Sequence, residues 1–238
     1  EGVATHILGW VCTYVTPGYP LFLALTSQAG PSFLWQIIPQ ALLSTGTVLC
    51  AYWLGKTLFD VPAGLIASAL VAIYPYYVWH DTSLQDTGIH TFLITLSVLL
   101  ILRSRRSESV VLPALAGMSL GMGILVKGTL VPFTLLALVW LLMLGARTFR
   151  ARLRKTATVS AMVLLVLSPW IARNWVLLGS PVITTQGGLY LWQANHHETS
   201  FLCFPEQDMD CSLSQAWASL SDTEIEELRG LSGDEVAQ

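Results

Sequence analysis

The sequence predicts an all-α membrane protein: a bundle of about six transmembrane helices with a loop region and a short tail on one aqueous face. Three observations lead there. Of the 238 residues, 53% are hydrophobic and only 11% charged, whereas soluble domains carry about 25% charged residues. The apolar residues lie in long charge-free runs. The charges are sorted by position, with basic residues in every second loop and acids in the others. Cys12, Cys50, Cys203 and Cys211 fit no metal-ligand spacing. The chain opens on Glu1 with no basic n-region of a signal peptide and no initiator Met, so it reads as a piece of a longer protein.

Residues 1–31 read as part of a first outer loop. Two prolines around Gly18-Tyr19 exclude a regular helix there, and LFLALTSQAG is too short to span, so this stretch is expected to dip onto the bilayer. Six candidate spans follow, at 32–55, 61–79, 87–102, 110–126, 128–146 and 156–172, and residues 32–172 form the bundle. A span needs roughly 20 apolar residues. The run at 87–102 is short, so its helix is expected to start near Leu84 and to carry Asp86 at its mouth. The next two runs meet at Lys127-Gly128 with almost no loop. Pro169 and Trp170 close the last run, and Gly179 and Pro181 stop any continuing helix.

Residues 173–238 are then an extracytoplasmic segment, the start of a truncated C-terminal region. Gly187-Gly188 gives a turn among aromatic residues. Cys203 and Cys211 form either a disulfide or a pair of thiols, and Ser214–Leu231 is a helix candidate.

Orientation follows from the basic residues. Lys56, then Arg103, Arg105 and Arg106, then Arg147, Arg150, Arg152, Arg154 and Lys155 occupy alternate loops, nine of the twelve Lys and Arg; the other face holds Lys127, Arg173 and Arg229. The positive-inside rule makes the nine cytoplasmic. Both ends of the chain, the turn 80–86 and the Lys127 turn are therefore outside, with every acid except Asp60 and Glu108.

The outer turns hold the residues that point to chemistry. Asp81 and Asp86 flank the second and third spans, with His80 and His90 nearby; Lys127 sits at a tip between two apolar helices, and Arg173 lies just beyond Trp170-Ile171. Ionisable groups at membrane depth are costly and tend to serve a cavity. Each has a plainer reading. Asp86 would serve as a helix N-cap, Lys127 and Arg173 would snorkel to the headgroups, and the tryptophans would form an interface belt. Taken together, outer carboxylates suit a general base or a divalent metal ligand, with Asp86 the metal candidate. Outer cations suit a phosphate that must be held and then stabilised as it leaves. A lipid-linked phosphate presents its headgroup at this depth.

Four stretches carry a resemblance: PGYPLFLAL at 17–25, YPYYVWHDTSLQDTGIHTFL at 74–93, GILVKGTLVPFTLLALVWLL at 123–142 and SPWIARNWVLLGSPVITTQGGLYLWQAN at 168–195. In this order they resemble the GT-C membrane glycosyltransferases of the protein-mannosyltransferase and aminoarabinose-transferase type. The last stretch matches that family's Pro-Trp-x-x-Arg-Asn and Gly-Gly-Leu-x-Leu pattern. In the second, Gln85-Asp86-Thr87 stands where the family has Thr-Glu-Pro or Thr-Asp-Pro. The resemblance implies a polyprenyl-phosphate-linked sugar as donor, a lipid, glycan or protein acceptor, and transfer with inversion on the extracytoplasmic side of an inner or plasma membrane. It implies a catalytic carboxylate in the first outer loop, expected upstream of residue 1, with Asp86 and Asp81 as the carboxylates this chain itself offers. Lys127 and Arg173 are the expected phosphate ligands, and Tyr19, His80 and Asn195, each inside a quoted stretch, are further substrate-binding candidates. No nucleic-acid partner is expected.

Two alternatives share this pattern. A transporter or flippase would also place polar groups in a helical bundle, but toward mid-membrane on broken helices. A lipid-binding homologue without activity would keep the site and lack the carboxylate. The orientation is directly testable: Ser107→Cys is expected to resist an impermeant thiol reagent added from outside, and Ser232→Cys to react. Labelling of Ser107→Cys from outside would invert the topology.

Overall fold

The computed structural model describes residues 16–30 and 32–184, with the backbone alone for Asp81 and Leu178. Among these residues the chain is helical throughout: α1 (Gly18–Ser27), α2 (Leu34–Leu58), α3 (Val61–Ile73), α4 (Pro75–Thr82), α5 (Thr87–Ser104), α6 (Val111–Val126), a 3₁₀ turn (Gly128–Leu130), α7 (Val131–Leu144) and α8 (Phe149–Leu178). It divides into two units, one of Thr16–Trp170 and a second to which the described residues 171–184 belong.

Six helices are apolar enough to match the expected spans. Leu34–Leu58, Thr87–Ser104 and Phe149–Leu177 have the length and composition to cross a membrane; Val61–Ile73, Val111–Val126 and Gly128–Leu144 are shorter. Their apolar side chains point outward: Leu65, Ile66 and Leu70 on α3, and Leu135, Leu136 and Val139 on α7, are all more than half exposed. A soluble monomer does not expose apolar surface on this scale, whereas a bilayer is its natural solvent.

Three expectations need correction. Residues 18–27 are helical despite the two prolines. Pro17 is the N-cap and Pro20 lies in the first turn, where a helix leaves its N–H groups unpaired and a missing donor costs nothing. The second span is not continuous to residue 79. Pro75 forces Tyr74 into an extended conformation (φ −68°, ψ 114°), which ends α3 after 13 residues, about 20 Å of helix, and α4 starts afresh at Pro75. Finally, α8 takes in most of the expected loop at 147–155 and runs through Pro169 to Leu178. Arg173 therefore sits inside a helix and not beyond one. The predicted stop at Gly179 holds: this residue has φ +72°, the left-handed conformation that glycine supplies at helix ends.

Within the first unit the loops collect at two ends. At one, the Lys56 and Arg103 side chains lie over the Trp53 ring, at 5.1 and 4.6 Å from its centroid, and Arg154 reaches Glu108. Lys155, 1% exposed, donates to the Ser104 carbonyl at 2.6 Å. That ammonium meets the C-terminal end of α5, where the helix dipole favours a cation. At the other end lie the 74–86 turn, Lys127 and α1. The alternation expected from the charges is thus present in the packing.

Small residues set how closely the helices approach. A Cβ on Gly64 of α3 would stand 2.7 Å from the Tyr52 carbonyl oxygen of α2, and one on Gly55 would stand 2.7 Å from Gly64 Cα. The two helices cross backbone to backbone, the usual way apolar helices gain contact where lipid offers no competing hydrophobic force. Gly64→Val is therefore expected to cost about 1–3 kcal/mol by overpacking, read as a lower thermal unfolding midpoint in detergent. An unchanged midpoint would mean the crossing is looser than described.

Candidate functional site

The polar end of the first unit is assembled by residues at helix boundaries. Lys127 is the single extended residue (φ −151°, ψ 112°) between α6 and the 3₁₀ turn, its N–H still bonded to the Gly123 carbonyl at 2.8 Å. This break throws its side chain off the helix axis. Asp86 occupies the N-cap position of α5 but in an αR conformation (φ −71°, ψ −17°), with no side-chain cap bond. N-caps that use their side chain are normally extended, so the plainer reading of Asp86 as a helix cap does not describe it. Its Oδ1 instead accepts from Lys127 Nζ at 3.3 Å.

That pair is loosely held. Lys127 and Asp86 side chains are 43% and 29% exposed, and 3.3 Å is longer than the 2.7–2.9 Å of a tight charge-assisted bond. A half-exposed pair of this kind is worth about 0.2–1 kcal/mol. Its contribution to stability is small, and both charges remain open to a ligand.

Around the pair, α1 is pressed against the end of α6. Thr16 Oγ1 donates to the Val126 carbonyl at 2.8 Å, and a Cβ on Gly18 would lie 2.6 Å from the Leu125 carbonyl carbon. This contact seats Tyr19, whose hydroxyl donates to Gln40 Oε1 at 3.3 Å. Burial, reinforced by the Asp86 charge, pushes the Tyr19 phenol up to about 12, so it stays a neutral donor at any physiological pH. His80, near the end of α4, pairs through Nδ1 with Gln85 Oε1. His90, one turn into α5 from Asp86, keeps its Nε2 buried without a hydrogen-bond partner.

The fold therefore brings Tyr19, His80, Asp86 and Lys127 to one end of the first unit. Asp81 falls in α4, its side chain outside the described residues. Arg173 belongs to the second unit, where its Nη1 donates to Asn174 Oδ1 at 3.0 Å. Asn174, fully buried, donates from Nδ2 to the Val182 carbonyl at 2.8 Å and so folds the chain after Gly179 back onto α8. Asn195, Cys203, Cys211 and the helix expected at 214–231 lie outside the described residues. Among the described residues no group of three His, Cys, Asp or Glu side chains converges as metal ligands, and Asp86 faces an ammonium.

Gln40 and Thr16 are not among the candidates read from the sequence, and Asn174 enters there only as part of the Pro-Trp-x-x-Arg-Asn pattern. Gln40 carried a usable signal, as one of two amides, with Gln36, in the apolar run LWQIIPQALL. A polar side chain retained there must have partners.

Apolar helices of this length, with the described ionisable groups gathered at two ends and an acid–cation pair at one of them, define an integral membrane protein. The family model for dolichyl-phosphate-mannose-protein mannosyltransferases matches residues 15–172, well over half of the chain, and the protein belongs to that family. Membership makes it a membrane glycosyltransferase of the GT-C type. The match takes in Tyr19, His80, Asp81, Asp86 and Lys127, and stops just short of Arg173. No curated protein and no solved structure matches the chain.

Two outcomes follow from this geometry. Asp86→Asn is expected to leave the unfolding free energy in detergent within about 1 kcal/mol of the parent; a larger loss would show the pair to be structural. In alkaline difference titration, the step that disappears in Tyr19→Phe is expected near pH 12 and not near 10.

Proposed function

We propose that the protein transfers a sugar from a polyprenyl-phosphate donor to an acceptor on the extracytoplasmic side of the membrane, with inversion at the anomeric carbon. The family's name points to mannose and to a protein acceptor. The observation that carries this reading is the Lys127–Asp86 pair, at the end of the bundle opposite the one that holds Lys56, Arg103 and Lys155. The positive-inside rule assigns the arginine-rich end to the cytoplasm, which leaves the pair facing outward.

The reaction has simple charge demands. An acceptor hydroxyl gives its proton to a carboxylate base and attacks the anomeric carbon, the bond from that carbon to the phosphate oxygen breaks, and the polyprenyl phosphate leaves with the bonding electrons. Negative charge grows on the departing phosphate. Lys127 supplies a point charge able to follow that growth. Asp86 holds the ammonium in place until an anion arrives, and orients the acceptor once Lys127 has turned to the phosphate. Tyr19 adds a neutral donor that does not titrate in the working range. Arg173 is assigned a donor-binding role on its chemistry, since its planar fork suits two phosphate oxygens.

The pattern of polar groups favours this over a transporter. A transport path would place its polar groups midway along the helices, whereas the described hydroxyls there mostly bond to their own helix, as Thr95 does to the Thr91 carbonyl at 2.6 Å. Single-turnover transfer from a polyprenyl-phosphate sugar is the test. Lys127→Ala is expected to slow the step by about 10- to 100-fold, the loss of one charge-assisted contact worth about 1.5–3 kcal/mol. Asp86→Asn should cost at least about tenfold, and Arg173→Lys should weaken donor binding although the charge is kept. If Lys127→Ala and Arg173→Lys both bind and turn over donor like the parent, the phosphate assignment is wrong.

A further inference from the structure

One buried amide ties together the segments that present the Asp86–Lys127 pair. Gln40 lies in α2 directly after Pro39 and is fully buried. Its Nε2 donates to two carbonyls, those of His80 at 3.0 Å and Ser83 at 2.7 Å. Its Oε1 accepts from the Tyr19 hydroxyl. His80 stands near the end of α4 and Ser83 is its C-cap, so both carbonyls belong to the group that a helix end leaves without intrahelical donors. Side-chain donors there come from Gln40, 40 and 43 residues away in the chain.

Asp86 follows three residues after Ser83, and the intervening turn is braced from within. The Gln85 N–H donates to the Ser83 carbonyl at 2.8 Å, and Gln85 Oε1 pairs with the His80 ring. The chain from Gln40 to Asp86 is therefore short and connected. Two side-chain bonds from Gln40 fasten this turn to α2, beside the Asp86–Lys127 pair that links it to the end of α6.

We infer that Gln40 is a positioning residue for the transfer reaction, holding the 80–86 turn where Asp86 meets Lys127; this rests on the glycosyltransferase reading given above. Replacing Gln40 by Leu keeps most of the volume but takes the side-chain donor from the His80 carbonyl and leaves the Ser83 carbonyl with the Gln85 N–H, the costly half of losing a hydrogen bond. Gln40→Glu keeps the shape and turns an anionic oxygen on the same carbonyls. Both changes also alter the acceptor of the Tyr19 hydroxyl, so the turn is read separately, by cross-linking, from the effect on transfer.

Two measurements on the full chain in membranes test this. The first is single-turnover transfer by the parent, Gln40→Leu, Asp86→Asn and the double variant. Gln40→Leu is expected to slow transfer by about tenfold with little change in KM. In the double variant it should add nothing to Asp86→Asn, because both act on one feature. Full additivity of the two effects would overturn the inference. The second measurement does not depend on activity. Asp86→Cys and Lys127→Cys, with the native cysteines replaced by alanine, are cross-linked with and without Gln40→Leu. The cross-linking rate should fall when Gln40 is lost; an unchanged rate overturns the inference whatever the enzyme does. If Asp86→Asn alone transfers at the parental rate, the catalytic reading of Asp86 fails, and the cross-linking arm still decides Gln40. Should Gln40→Leu not fold, Gln40→Glu and Gln40→Asn carry the same comparison, with Gln40→Asn expected to fall between parent and Gln40→Glu.

Discussion

The core of a bilayer offers no water to a polar group, and the arrangement of the first unit is consistent with that constraint. Along the shafts most described hydroxyls bond to carbonyls of their own helix, as Thr95 does to Thr91 and Ser97 to Ile94. Ser119 is an exception that crosses between helices, to the Leu93 carbonyl. Charges are confined to the ends. With polar glue scarce along the shafts, the helices gain contact by close approach, and glycines stand where backbones nearly touch: Gly64 against α2, and Gly117 with a hypothetical Cβ 2.5 Å from the Val159 carbonyl oxygen of α8. The same constraint gathers ionisable side chains into two groups that then take different roles.

Those two groups contrast in how tightly they are held. At the arginine-rich end Lys155 is buried and makes a 2.6 Å bond to Ser104, while Lys56 and Arg103 cover Trp53. A buried ammonium with a short bond to a helix terminus is a structural fitting, since removing its partner would strand a charge. At the other end the acid and cation are partly exposed and 3.3 Å apart. The pair there adds little stability and leaves its charges partly exposed. One end of the bundle is thus held by buried contacts, and the other keeps the charges that the proposed reaction uses.

The looseness of the pair contrasts with the rigidity of what carries it. Asp86 and Lys127 both sit at helix boundaries, one before α5 and one after α6, and the two helices pack along their lengths. Gly18 allows α1 to lie on the backbone of Leu125 and Val126, which brings Tyr19 to Gln40. Backbone geometry is fixed by packing, while the paired side chains retain freedom. Such a division suits the proposed transfer, in which Lys127 would exchange one charged partner for another.

Much of this was legible in the sequence, for a physical reason. A bilayer imposes long apolar runs and sorts basic residues by side, so the six apolar segments, and the placing of Asp86 and Lys127 at the end away from Lys56, Arg103 and Lys155, could be read from composition and position. Family membership was legible as well, in stretches such as PGYPLFLAL and GILVKGTLVPF. Local chemistry was less legible where position within a helix decides the outcome. Pro17 and Pro20 open a helix because they stand in its first turn, whereas Pro75 ends one because of what it does to Tyr74. Only tertiary structure could show that Asp86 pairs with Lys127, 41 residues away, and not with its own helix end. The same holds for Gln40, which reaches across to His80 and Ser83. Which donors meet which carbonyls depends on the register of packed helices, and register is set by side-chain and backbone contacts distributed over the whole bundle, which no local pattern of residues encodes.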